Sequence, residues 1–174
     1  MHYNDVESLY RKGWNSPNCV WSNAAFFVAA FLPPCPSWLW CFTMWCIGVA
    51  SSVFHATMDS RARVADNVCC ALFEVTCLGS AWGWPTWLVL ALWPCTYLAQ
   101  IAVSRGFEVD AVLVFSNLFT LWWHAHYDVL GVVLFSFACW YQNMLGSSPI
   151  SWCHSVFHVG MALAGHMLWG YTCP

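Results

Sequence analysis

Long apolar runs make up most of the chain, and short polar or proline- and glycine-containing segments separate one run from the next. A helix that crosses a bilayer needs about 20 mainly apolar residues, and seven segments of the sequence meet this requirement. We therefore predict an all-α membrane protein: a seven-transmembrane helix bundle, with residues 1–174 forming a single domain. The predicted spans cover roughly residues 17–33, 37–57, 64–82, 85–104, 108–125, 127–145 and 150–171.

The composition indicates that lipid is the solvent for most of this chain. Of its 174 residues, 60% are hydrophobic and 7% are charged, whereas soluble domains carry about 25% charged residues. The 14 Trp and 12 Phe residues suit the headgroup boundary and the hydrocarbon interior, respectively. A net charge of −3 and the lack of a basic run argue against nucleic acid as a partner.

The positions of the basic residues agree with the seven-span count. In a seven-span chain, all five fall in segments on the same side of the membrane as the N-terminus: Arg11, Lys12, Arg61, Arg63 and Arg105. Short loops rich in Lys and Arg normally stay in the cytoplasm. This pattern predicts a cytoplasmic N-terminus and a C-terminus on the opposite side.

Two polar stretches combine residues that can bind a metal ion and activate water. Ser51 and His55 are one helical turn apart at the end of the second predicted span, and Asp66 follows His55 by 11 positions. His154 and His158 begin the seventh span at a spacing that lets both reach one ion. The predicted topology puts both stretches at the same membrane level. Three His ligands leave a fourth position for water, as in catalytic zinc sites.

These motifs resemble those of the alkaline ceramidases. Their superfamily also includes the progestin and adiponectin receptors and a group of GPI-lipid remodelling proteins. The resemblance rests on Ser51-x3-His55, on the sequence Phe54-His55-Ala56-Thr57, on the step to Asp66, and on His154-x3-His158 near the end. The motif residues are few, but they occur in the same order over nearly the whole chain.

The resemblance implies a seven-helix fold with zinc (Zn²⁺) bound by His55, His154 and His158. Asp66 would orient or deprotonate the reacting water, and Ser51 would assist at the same centre. The implied activity is hydrolysis of the amide bond of a membrane lipid, ceramide or a related sphingolipid, to a sphingoid base and a fatty acid. In a eukaryotic cell it implies a multi-pass protein of the endomembranes, in the ER or Golgi.

The chain departs from the family pattern near its N-terminus. Ceramidases of this family carry an acidic calcium (Ca²⁺) site there, which Asp5-Val6-Glu7 matches poorly, so calcium binding is left open. Ser22-Asn23 resembles the family's Ser-Asn pair without its upstream Glu and Trp context. These ceramidases also place the N-terminus in the lumen, opposite to the orientation that the basic residues predict.

Other functions stay open at this point. One is a seven-helix, zinc-containing lipid receptor or sensor, although a structural zinc site would not need a base such as Asp66. A GPI-lipid remodelling protein is another. A channel or transporter would need helices broken in mid-span, and Pro94 is the feature that suggests one.

Two further groups of histidines are not expected to join the proposed centre. His166 lies two turns beyond His158, about 12 Å further along the helix axis, so we expect it to bond another helix. His124 and His126, with Asp128, fall on the opposite side of the predicted membrane and are expected to be solvated.

Overall fold

The structure is a computed structural model that describes residues 14–32, 37–104 and 152–170. Every regular element within these ranges is an α-helix, which confirms the all-α part of the prediction. The predicted spans at 108–125 and 127–145, with His124, His126 and Asp128, lie outside the described residues. The helices are α1 (Pro17–Ser22), α2 (Ala24–Phe31), α3 (Trp38–Thr57), α4 (Ser60–Ala81), α5 (Thr86–Ser104) and α6 (Trp152–Gly170).

The first predicted span is interrupted at Asn23, where the sequence analysis expects one continuous helix. In a regular helix the carbonyl of Cys19 would accept the backbone N–H of Asn23. It instead accepts the side-chain amide of Asn23 and the hydroxyl of Ser22, each at 3.0 Å. The backbone N–H of Asn23 bonds the nearer carbonyl of Val20 at 3.3 Å. Side-chain competition for a backbone acceptor therefore separates α1 from α2.

A short turn joins α3 to α4 and brings their polar residues together. Met58 ends α3 in the left-handed conformation, with φ of 52°. Asp59 then caps α4, because its Oδ1 accepts the backbone N–H groups of Arg61 at 2.7 Å and Ala62 at 3.3 Å. This cap satisfies amides that the first turn of a helix leaves without partners. It also explains why α4 begins at Ser60, earlier than the predicted residue 64.

The largest buried cluster lies between α2, α3, α4 and α6, and small residues of α6 allow the close approach. A Cβ atom at Gly165 would lie 2.9 Å from the ring of Phe73 and 3.1 Å from that of Trp40. The indole N–H of Trp40 also donates to the carbonyl of Ala29 at 3.3 Å. Small residues at helix contacts let backbones pack closely. This packing holds α6, and the histidines at its start, against α1 and α2, where Gly165 also meets the side chains of Trp40 in α3 and Phe73 in α4.

One of the described helices, α3, is long and apolar enough to cross a membrane. A shorter apolar stretch, Thr86–Leu98, lies within α5. Length and composition thus single out one spanning candidate in the described part of the chain. The seven-span bundle remains a prediction.

Candidate metal centre

Three buried imidazoles meet at one end of the described helices. His55 lies in the last turn of α3, and His154 and His158 lie in the first two turns of α6. None of the three is more than 6% exposed. One ring nitrogen from each lies within 4.8 Å of the other two. The predicted convergence of these residues is confirmed, and together they can bind a metal ion.

The spacing of the ring nitrogens suits a single ion. The Nε2 atoms of His55 and His154 are 3.1 Å apart. Two nitrogens in a tetrahedral zinc site, each about 2.0–2.1 Å from the ion, would be about 3.3 Å apart. The widest separation in the cluster is within 4.8 Å, so all three nitrogens lie close enough together for one ion to draw them in.

The backbone of Trp14 determines which nitrogen of His55 is available for a metal. The Nδ1 atom of His55 lies 2.7 Å from the carbonyl oxygen of Trp14. A carbonyl oxygen only accepts hydrogen bonds, so Nδ1 carries the proton. The Nε2 atom, which lies 3.1 Å from Nε2 of His154, then carries the lone pair that a metal ion would use. Metal-binding histidines are commonly oriented by such a bond from the second ring nitrogen.

Ser22 does the same for His158. The Nδ1 atom of His158 lies 2.8 Å from the hydroxyl oxygen of Ser22. That hydroxyl donates its one hydrogen to the carbonyl of Cys19 at 3.0 Å, so it accepts the hydrogen bond from His158. The Nε2 atom of His158 is therefore unprotonated as well. The carbonyl of Cys19 that accepts the Ser22 hydroxyl is also the one that accepts the Asn23 side chain where the helix is interrupted.

Asp66 is buried and is not a member of the ligand group of three histidines. It is 5% exposed and accepts side-chain hydrogen bonds from Ser51 and Arg63. The Nη1 atom of Arg63 lies 3.2 Å from Oδ2 of Asp66. Ser51 is itself buried and precedes His55 by one helical turn. The turn between α3 and α4 thus brings a carboxylate and a hydroxyl to the helix face that bears His55.

Two residues at this centre were missed by the sequence analysis. The indole of Trp14 is 3% exposed and stacks on His154, with ring centroids 3.8 Å apart and planes inclined by 16°. The guanidinium carbon of Arg63 lies 5.6 Å from the ring of Trp14 and 4.9 Å from that of Phe54. From the sequence, the Trp residues are expected at the membrane boundary and Arg63 in a loop. One feature of the sequence could have identified Arg63. It lies three residues before Asp66, a spacing that favours an ion pair on a helix.

The remaining predicted groups do not join the centre in the described part of the chain. His166 is half-buried and is not a member of the metal-binding group. The calcium alternative at Asp5 and Glu7 lies outside the described residues. Asn23 of the Ser-Asn pair is fully buried, and its Oδ1 atom has no hydrogen-bond partner.

Comparison of the chain with protein-family models, with curated proteins and with solved structures gave no match. The resemblance to ceramidases therefore remains a prediction from the motifs. The geometry of the three histidines and of their hydrogen-bond partners carries the functional argument.

Proposed function

We propose that the protein is a zinc-dependent integral-membrane hydrolase that cleaves the amide bond of ceramide or a related sphingolipid. One observation carries this proposal: three buried imidazoles lie together, two with Nδ1 bonded to an oxygen acceptor, and a buried carboxylate bonds the hydroxyl one helical turn before His55. Zinc suits nitrogen ligands, and three of them leave one position for water or substrate. When bound, zinc would polarise the substrate carbonyl and acidify water.

Asp66 is the residue that would act as the base. Its carboxylate is buried and oriented by two hydrogen bonds, so it can accept a proton from the attacking water without first reorganising. The oxygen of that water forms a bond to the acyl carbon. Asp66 then holds the proton, which it delivers to the amine nitrogen as the carbon–nitrogen bond breaks.

Ser51 would act together with Asp66 because their side chains are hydrogen-bonded. While Asp66 is ionised, the Ser51 hydroxyl donates to it. Once Asp66 has taken a proton, it can donate to the Ser51 oxygen instead. The Ser51 hydrogen is then free to turn towards the negative charge that develops on the carbonyl oxygen.

The outer face of α3 supports a location in lipid. Five large apolar side chains repeat at helical spacing along its length, and each is at least 44% exposed. In water such a stripe would be costly, whereas lipid tails solvate it. A lipid substrate would then reach the centre sideways, between helices of the proposed seven-helix bundle. The stripe consists of Trp38, Phe42, Trp45, Val49 and Val53.

The proposal is tested on protein purified in detergent. Bound metal is measured first, and about one zinc per chain is expected from three protein ligands. Fatty-acid release is then measured from ceramides, from ester lipids and from GPI-anchored lipids, before and after treatment with a chelator. Zinc-dependent release from the amide substrates alone is the expected result. Stoichiometric zinc without any release would favour a receptor, and release from GPI lipids alone would favour lipid remodelling.

A further inference from the structure

We propose that Arg63 is a positioning residue that serves both halves of the centre, the metal ligands through Trp14 and the base through its ion pair with Asp66. The second half rests on the proposed function, whereas the first concerns metal binding alone. Arg63 is a surface residue by sequence, because it belongs to the polar segment between two predicted spans. Its side chain is nevertheless only 12% exposed.

The route to the metal ligands runs through Trp14. The indole of Trp14 covers His154, and its backbone carbonyl orients His55. Trp14 lies outside the described helices, just before α1. Arg63 lies against the indole ring, and a cation over an aromatic face is attracted by the ring quadrupole, more strongly when both are desolvated. Arg63 thereby holds Trp14 over the two ligands.

The route to the base is the ion pair with Asp66. Arg63 and Asp66 are one turn apart on α4 and are joined at 3.2 Å. Phe54 packs on the guanidinium at 4.9 Å and limits its movement. The Nε atom of Arg63 is buried without a hydrogen-bond partner in the structure. A buried donor without a hydrogen-bond partner costs free energy. An arginine whose side chain extended into solvent would avoid this cost.

The experiment compares zinc affinity, by chelator competition, with turnover per bound zinc. Arg63→Met removes both routes, and we expect it to weaken zinc binding by about tenfold, the smaller end of the range for outer-shell partners. Turnover per bound zinc should also fall. Arg61→Met is the matched control, because Arg61 is exposed on the same helix and its loss changes the charge equally.

Arg63→Lys separates the two routes and serves if Arg63→Met does not fold. Lysine can still pair with Asp66, but its compact and strongly hydrated ammonium is a poor substitute between two rings. We expect zinc affinity close to that of Arg63→Met and turnover per bound zinc close to that of the wild type. Wild-type zinc affinity in Arg63→Lys would overturn the route through Trp14. A loss of turnover as large as in Arg63→Met would overturn the route through Asp66.

A double-mutant cycle with Trp14→Leu provides a readout that a merely structural role would not give. If Arg63 acts on the ligands through Trp14, the double variant should bind zinc no more weakly than the single variant with the lower zinc affinity. The reason is that the effects of substituting two interacting residues do not add. Additive losses would contradict the proposal. Zinc binding that depends on Arg63 in a protein that hydrolyses no lipid would support this route while refuting the hydrolase. A wild-type protein that binds no zinc would refute both.

Discussion

The Nε2 atoms of His154 and His55 lie 3.1 Å apart, although the two residues are separated by 99 positions in the chain. The Nδ1 atom of His55 bonds the carbonyl of Trp14, so its Nε2 atom is the one that faces His154. A metal ion bound here would join the end of α3 to the start of α6. Ligand binding and helix packing are therefore coupled at this centre.

Replacement of His154 by alanine is expected to abolish stoichiometric zinc binding, because two imidazoles remain of a three-ligand site. The matched control is His166→Ala, on the same helix and outside the ligand group. Metal content after purification distinguishes the two. Zinc retained at full occupancy in His154→Ala would contradict the assignment of ligands.

We expect bound zinc also to stabilise the fold, and His154→Ala provides the control for this expectation. A ligand at about 1,000 times its Kd adds about 4 kcal/mol to the free energy of unfolding. Chelation should therefore lower the thermal midpoint of the wild-type protein in detergent and leave that of His154→Ala unchanged. An equal shift in both proteins would indicate that the chelator acts elsewhere.

Replacement of Ser22 by alanine should weaken zinc binding without abolishing it. His158 loses one hydrogen-bond acceptor of its ring, the Ser22 hydroxyl, and loss of such a partner typically costs about 10–100-fold in metal affinity. Turnover per bound zinc should stay near that of the wild type, since Ser22 touches no reacting group. Ser16→Ala, in the same segment, is the control. An unchanged zinc affinity in Ser22→Ala would show that this hydrogen bond does not orient His158.

Replacement of Asp66 by asparagine should leave zinc bound and lower turnover by about 10²–10⁴-fold, the usual contribution of a general base. The amide cannot take a proton from water, and Asp66 is not a member of the ligand group. Asp59→Asn is the control, because it removes the same charge at an exposed position and asparagine also caps helices well. A fully active Asp66→Asn enzyme would refute the role of Asp66 as the base.

Replacement of Gly165 by leucine should destabilise the protein, because even a Cβ atom there meets the rings of Phe73 and Trp40. Overpacking of this kind typically costs about 1–3 kcal/mol. A lower thermal midpoint is expected, with weaker zinc binding, since α6 carries two of the ligands. Val159→Ala, on the exposed face of α6, should change the midpoint little. A stable Gly165→Leu protein with full zinc affinity would mean that α6 has room to move.

Helix content and the ligand histidines could be predicted because both depend on local patterns. Apolar runs of helical length indicate helices, and the spacing of His154 and His158 places both side chains on one face of α6. His55 could be added because the predicted spans place it at the same level. The break at Asn23 could not be predicted, since it depends on whether a side chain or the backbone amide bonds the carbonyl of Cys19.

The sequence by itself determined the helical class, the spacing of the ligand pair and the residue types that bind a metal, because these follow from periodicity and from side-chain chemistry. Only the tertiary structure decided which nitrogen of His55 and of His158 is available to a metal, since that depends on the oxygen atoms of Trp14 and Ser22 across the packed helices. It also decided that Arg63 packs on two aromatic rings rather than extending into solvent. Contacts between distant segments have no local signature, so no spacing along the chain predicts them.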